Sequence, residues 1–164
     1  MKLGIISDTH DNVPKVKAAV ELFNTEGVEA VVHCGDFIAP FAILPYKDLA
    51  CGKFFGVFGN NDGEKKGLGQ IAQTNNWQIE PGPFKLAIGG KKITLIHEPD
   101  LLEELISKGE SDIIAYGHLH RPKIEDENGT LVINPGEGGG WTSSNATLAI
   151  IDLKTMQTDI LTLT

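Results

Sequence analysis

Leu3-Gly4-Ile5-Ile6-Ser7-Asp8-Thr9-His10 is a short apolar run that stops at a carboxylate and an imidazole. A buried strand ending this way delivers both groups to one edge of a sheet, where ligand sites of open α/β sheets form. The pattern recurs. Ala30-Val31-Val32-His33-Cys34-Gly35 leads into Asp36, and Phe54-Phe55-Gly56-Val57-Phe58-Gly59 leads into Asn60. Ile93-Thr94-Leu95-Ile96 leads into His97, and Ile113-Ile114-Ala115-Tyr116-Gly117 leads into His118 and His120. Five such deliveries predict one polynuclear metal site.

Around these runs the first half alternates strand and helix. The first strand is expected over about Lys2 to Ser7. A helix follows, with Pro14 in its first turn, Val16, Ala19, Val20 and Phe23 at helical spacing, and Gly27 as its stop. A second strand runs up to His33, a short helix lies near Phe41 to Leu49, and a third strand ends at Gly59. Another helix is expected over Gly67 to Thr74. After Trp77 the chain becomes strand-rich. Phe84 to Ile88 and Lys92 to His97 flank Gly89-Gly90, a hairpin signal. A helix near Leu101 to Ser107 precedes the strand into Tyr116. Lys123 to Asp126 and Thr130 to Asn134 flank the turn dipeptide Asn128-Gly129. Thr147 to Leu153 and Thr158 to Thr164 complete a set read as antiparallel. The expected fold class is α/β: a four-layer αββα sandwich of two mixed β-sheets flanked by helices.

The 164 residues suffice for one domain with its own core, expected to span 1–164 without linker or repeat. Hydrophobic content of 41% and charged content of 22% suit a globular protein. No apolar stretch reaches membrane-span length, and Asp8 interrupts the first apolar run, so neither membrane association nor a signal peptide is expected and a cytoplasmic location is the default. Cys34 and Cys51 form no CxxC pair and read as reduced thiols. A net charge of −8 repels a nucleic-acid backbone and argues against stable nucleic-acid binding. It leaves a small phosphate ester open as substrate, since bound cations set the local field.

Four imidazoles, two carboxylates and one amide are too many for a single tetrahedral site and suit two ions sharing a carboxylate. Nitrogen-rich ligation favours divalent transition metals, Mn first with Ni, Fe, Co and Zn as alternatives, over Mg or Ca. Two carboxylates against two divalent ions leave a cationic site, fit to bind phosphate and acidify a shared water. Taken singly, each residue has an ordinary reading: a lone histidine is usually packed or solvated, and Gly-Asp and Gly-Asn are common turn dipeptides. Their combination, with four of the five histidines at strand ends, favours the metal site. His33 lies inside its apolar run and reads as a core residue or a support behind the ligands.

The series Asp8-x-His10, Gly35-Asp36, Gly59-Asn60, His97 and Gly117-His118-x-His120 resembles the calcineurin-like metallophosphoesterase superfamily. The short chain and the early Ser7-Asp8-Thr9-His10 resemble its small bacterial and archaeal phosphodiesterase branch. The resemblance runs from Asp8 to Asn134-Pro135-Gly136. It implies that Asp8, His10, Asp36 and His120 hold one metal and that Asp36, Asn60, His97 and His118 hold the other, Asp36 being the bridge. It also implies hydrolysis of small phosphodiesters by a metal-bridging hydroxide, and homo-oligomeric assembly. Some relatives with this fold act instead as protein-interaction scaffolds with little or no catalysis, which is the rival reading.

Three departures from the family pattern stand out. Many members have a histidine where Asn61 stands; an amide donates a hydrogen bond but supplies no acid near neutral pH. With Asp36, Asn61 is the expected catalytic residue, and the enzyme is expected to favour good leaving groups. Asp62 is either a substitute acid or, preferably, a cap for the following helix. Glu98 follows His97 where glycine is common, facing either the site or solvent. Glu137 stands where relatives often carry serine, and the glycine run after it leads to Trp141, which either lines a substrate mouth or packs as a lid.

Overall fold

In strand β1 (Lys2–Ile6), Leu3 and Ile5 face one way and Ile6 the other, and both faces are buried. That two-sided burial is why the run is almost continuously apolar, as expected of a strand covered by layers on both sides. The computed structural model describes residues 1–164. In it β1 pairs in parallel with β2 (Ala30–His33), β2 with β3 (Phe54–Val57), and β3 with β4 (Gln78–Glu80). On its other side β1 pairs antiparallel with β10 (Thr147–Asp152), which pairs antiparallel with β11 (Thr158–Thr162). This is a six-stranded mixed sheet of order β11-β10-β1-β2-β3-β4.

The second sheet has five strands, β5 (Phe84–Ile88), β6 (Lys91–Leu95), β7 (Ile113–Ala115), β9 (Thr130–Asn134) and β8 (Lys123–Glu127), in that spatial order. The hairpins β5–β6 and β8–β9 turn at Gly89-Gly90 and Asn128-Gly129 as expected, and all four turn residues have positive φ. β7 is parallel to both β6 and β9.

Helix α1 (Val13–Glu26) starts where the Asn12 side chain accepts the Lys15 amide and ends at Gly27 in the left-handed conformation. Its buried residues are Val16, Ala19, Val20 and Phe23, the set expected from spacing. With a 3₁₀ helix over Pro40–Asp48 and helix α2 (Lys65–Thr74), it covers the outer face of the first sheet around Ile6, Val31, Phe54 and Leu148. Burying Phe23 completely contributes roughly 1.5–3 kcal/mol. Helix α3 (Leu102–Lys108) packs Leu105 and Ile106 on Ile114 and Val132 of the second sheet. Between the sheets lies an apolar seam including Leu3, Ile5, Val32, Leu95, Ile113, Ile133 and Ile151. The layers are therefore helix, sheet, sheet, helix.

One feature differs from the expectation. β9, read as part of an antiparallel set, pairs in parallel with β7, while the antiparallel β10 and β11 join the first sheet. Apolar alternation fixes which faces a strand buries but not its neighbour. The short helix expected near 41–49 is present as a 3₁₀ helix, with Pro45 inside it removing a donor.

Candidate metal centre

Because β1, β2 and β3 are parallel, their carboxyl ends share one edge, and the segments leaving them carry Asp8 and His10, Asp36, and Asn60. In the second sheet β6, β7 and β9 are mutually parallel, so His97, His118, His120 and the segment after Asn134 also leave from one edge. The two edges meet. All seven residues expected as ligands converge there.

The backbone turns sharply to present them. Asp8, His10, Asp36, His118 and His120 have φ values of 54°, 42°, 59°, 67° and 55°. This left-handed region is most accessible to glycine and, after it, to Asn, Asp and His. Such conformations cost of order 1–3 kcal/mol each and persist only where the surroundings over-determine them. Here the surroundings are strand ends and loop hydrogen bonds: Asp8 N–H donates to Gly35 O at 2.9 Å, and His10 N–H to Asp36 O at 3.1 Å. The glycines beside these residues sit in crowded places. A Cβ on Gly59 would overlap the Asp36 carboxylate, and one on Gly117 would overlap Ser7 Oγ and lie 2.7 Å from Asp8 Oδ2.

Two groups of donor atoms result. In the first, His120 Nε2 lies 3.3 Å from Asp8 Oδ1 and 3.4 Å from His10 Nε2. In the second, His97 Nε2 lies 3.5 Å from Asp36 Oδ2 and 2.8 Å from Asn60 Oδ1, which is 3.1 Å from His118 Nδ1. Asp36 Oδ2 also stands 3.6 Å from His10 Nε2, so this one oxygen faces both groups. Donor atoms bonded at about 2.1 Å around one tetrahedral ion stand roughly 3.4 Å apart, close to these separations. Asp8 and Asp36 are almost completely buried, while His10 and His120 are part-exposed and open the centre to solvent.

Hydrogen bonding argues for a cation. His97 Nδ1 is 2.7 Å from the carbonyl oxygen of Cys34, which can only accept, so the ring proton sits on Nδ1. The Nε2 lone pair then faces Asn60 Oδ1 at 2.8 Å and the Asp36 carboxylate at 3.5 Å, an acceptor facing acceptors unless a positive charge lies between them. The proton affinities reflect the same field. Burial lowers the basicity of His97, but Asp36 outweighs it and raises the pKa. Beside Asp8, His120 is likewise raised. Burial pushes the Asp36 carboxyl up, but the adjacent His97 ring and the hydrogen bonds from Asn61 hold it well below the usual carboxylate range. This centre is built to hold positive charge, and its donor set fits divalent metals.

Several side chains do something other than expected. Asn61 donates its backbone N–H to Asp36 Oδ1 at 2.9 Å and its Nδ2 to Asp36 Oδ2 at 2.7 Å, gripping that carboxylate from both sides. Asp62 does not cap α2, which begins after Glu64 with no side-chain cap. It is buried and accepts the amides of Gly59 at 2.7 Å, Ile38 at 2.7 Å and Asp36 at 3.1 Å, tying the Asp36 loop to the Asn60 loop. His33 is fully buried behind the centre and stacks on Phe37 at 3.9 Å. Glu98 is exposed and makes no hydrogen bond or ion pair; it lines a cleft of about 460 Å³ beside Asn60 with Phe58 and Lys65. Trp141 is 64% exposed and donates its indole N–H to the His10 carbonyl at 3.0 Å, forming a rim of the site. Both cysteines are free thiols.

Residues 1–156 match the family model for the calcineurin-like phosphoesterase superfamily domain. The phosphodiesterase MJ0936 of Methanocaldococcus jannaschii is 39% identical over 155 residues, covering 93% of each chain. The phosphodiesterase YfcE of Escherichia coli K12 is 27% identical over 150 residues, covering 83% of this chain and 78% of its own. A solved structure described as that of a novel archaeal phosphodiesterase superposes with a TM-score of 0.93 at 36% identity, covering 99% of this chain and all of the other.

Proposed function

This chain belongs to the calcineurin-like phosphoesterase superfamily, and from that premise we propose that it is a phosphodiesterase working through two divalent transition-metal ions. The observation that carries the reading is the meeting of seven donor side chains from two sheets, with the His97 lone pair turned toward a carboxylate. Asp8, His10, Asp36 and His120 would hold one ion, and Asp36, Asn60, His97 and His118 the other. Asp36 would serve both, because its Oδ2 faces both groups. Mn is the metal expected first, with Ni, Fe, Co and Zn as alternatives. Bound ions supply charge neutralisation at the phosphoryl oxygens and an acidified attacking water.

The protein's own part is positional. The Asp62 staple and the crowded glycines keep the ligand loops in register, so the donors meet the phosphoryl group already ordered. Asn61 holds the bridging carboxylate and brings no acid to the leaving group. The cleft beside Asn60, walled by Phe58, Lys65 and Glu98, receives one ester substituent of a small substrate. The whole chain, 1–164, acts as a single domain.

The deciding experiment compares bis-p-nitrophenyl phosphate with p-nitrophenyl phosphate as substrates for metal-stripped protein supplemented with Mn, Ni, Zn or Mg. Metal-dependent cleavage favouring the diester is expected, and Asp36→Ala should lose metal occupancy and turnover together. Absence of turnover with every metal, or near-normal turnover by Asp36→Ala, would overturn the reading.

A further inference from the structure

We propose that Glu137 and Thr142 are a positioning pair that fixes which nitrogen of His120 carries the proton, and thereby makes the Asp8–His10–His120 position the tighter of the two metal positions. The inference rests on the two-metal reading above.

Glu137 leaves the carboxyl end of β9, on the same edge as the ligands, and is 1% exposed. Its Oε1 accepts the amides of Trp141 at 2.9 Å and Thr142 at 3.0 Å. Its Oε2 accepts the Ser143 amide at 2.7 Å and the Thr142 hydroxyl at 3.0 Å. No lysine or arginine pairs with it. With backbone amides donating to both oxygens and the Thr142 hydroxyl to Oε2, both oxygens serve as acceptors.

The consequence passes chiefly through one hydroxyl, beside which Glu137 Oε1 itself approaches His120 Nδ1 to 3.5 Å. Thr142 Oγ1 has a single hydrogen, and it is given to Glu137. His120 Nδ1, 2.9 Å from the same Oγ1, must therefore donate to it. The proton of the neutral ring is thus on Nδ1, and the Nε2 lone pair faces Asp8 Oδ1 and His10 Nε2. A carboxylate acting through a hydroxyl raises the basicity of the coordinating nitrogen and locks the ring's orientation. The second position lacks this support. His97 is oriented by a neutral carbonyl, that of Cys34, and His118 makes no ring hydrogen bond except toward Asn60. Charge stands behind one metal position and not the other, so the first ion fills the Asp8–His10–His120 position.

The loop holding Thr142 does not depend on its hydroxyl. Gly138 N–H donates to Ser7 O at 2.8 Å and Gly139 N–H to Asp8 O at 2.9 Å. The Asn12 amide donates to Gly139 O at 2.7 Å. Thr142→Val is therefore a clean removal, and Thr142→Ser its rescue.

Metal-stripped wild type, Thr142→Val, Thr142→Ser and Glu137→Gln would be titrated with Mn(II), reading free Mn by electron paramagnetic resonance and heat by calorimetry. The unfolding midpoint of each stripped protein is measured alongside. Wild type should bind two ions in separable steps. Thr142→Val and Glu137→Gln should weaken the tighter step about 10- to 100-fold, with the weaker step unchanged, and Thr142→Ser should restore it. The stripped Thr142→Val protein should melt with wild type, which separates a metal effect from a folding one. Unchanged affinity in Thr142→Val, while wild type takes up two ions, would overturn this inference and leave the phosphodiesterase reading standing. A wild type that binds no Mn would overturn both.

Discussion

Gly35 donates its amide proton to Nδ1 of His33, 3.1 Å away, and so reserves the ring's own proton for Nε2, which faces Thr9 Oγ1 at 3.2 Å. The ring is neutral, fully buried and stacked on Phe37. Burial drives its pKa well below the usual range, although the Asp36 charge pulls the other way. In the unfolded chain it returns to about 6.5. With the folded value depressed, the unfolded chain binds more protons as the pH falls. The contribution of His33 is therefore intact above about pH 6.5 and lost below it. In metal-free protein His97 and His120 are raised and act in the opposite sense, so the check is a difference. Metal-stripped wild type should exceed His33→Gln in unfolding midpoint at pH 8, and the gap should narrow by pH 5. A gap independent of pH would refute the neutral-ring account.

Asp62 is the sole side-chain acceptor for three loop amides. Asp62→Ala leaves them without their partner next to the centre and should cost about 3 kcal/mol. Asp62→Asn keeps one carbonyl oxygen and should cost less. Urea denaturation of stripped protein measures both, and a loss below about 1 kcal/mol in the alanine variant would mean that water replaces the carboxylate without penalty.

Two glycines should respond oppositely to alanine. Gly117→Ala forces a methyl group into Ser7 Oγ and against Asp8 Oδ2, so stability should fall by about 1–3 kcal/mol and metal affinity with it. Gly69 sits within α2 with open space at its Cβ, so Gly69→Ala should add about 0.5–1 kcal/mol and leave turnover alone. Thermal melts with and without Mn would separate the two, and similar behaviour would remove the case for crowding at Gly117.

Asn61 grips the Asp36 carboxylate and offers no proton. Across a series of aryl diesters, the wild-type rate should fall steeply as the leaving-group pKa rises, and Asn61→His should flatten the slope. Equal slopes would show that no general acid is missing at this position.

The chain announces its candidate ligands more clearly than their supports. Asp8, Asp36 and His97 are legible because apolar runs stop at them, and a strand end is a position in the fold. Asp62, Glu137 and Thr142 carry no such mark. Their partners are loop amides that come together only after the sheets have packed, and no periodicity encodes that. Glu137 did leave one trace: it follows the carboxyl end of β9, on the ligand-bearing edge. Strand β4 escaped because three residues with only Ile79 buried are too short to show alternation. β10 and β11 were recognisable as strands but not as members of the first sheet, since pairing with β1 depends on the fold of the whole chain.

The donors are divided between the sheets: Asp8, His10, Asp36 and Asn60 hang from the six-stranded sheet, and His97, His118 and His120 from the five-stranded one. The apolar seam only presses the two sheets together, and such a contact resists separation better than sliding. Metal held by donors from both would act as a rivet through both plates. One sheet could then neither shear past the other nor open at that edge without tearing coordination bonds. The loaded protein should therefore exchange the amide hydrogens of both sheets as one unit, and the stripped protein should release them sheet by sheet.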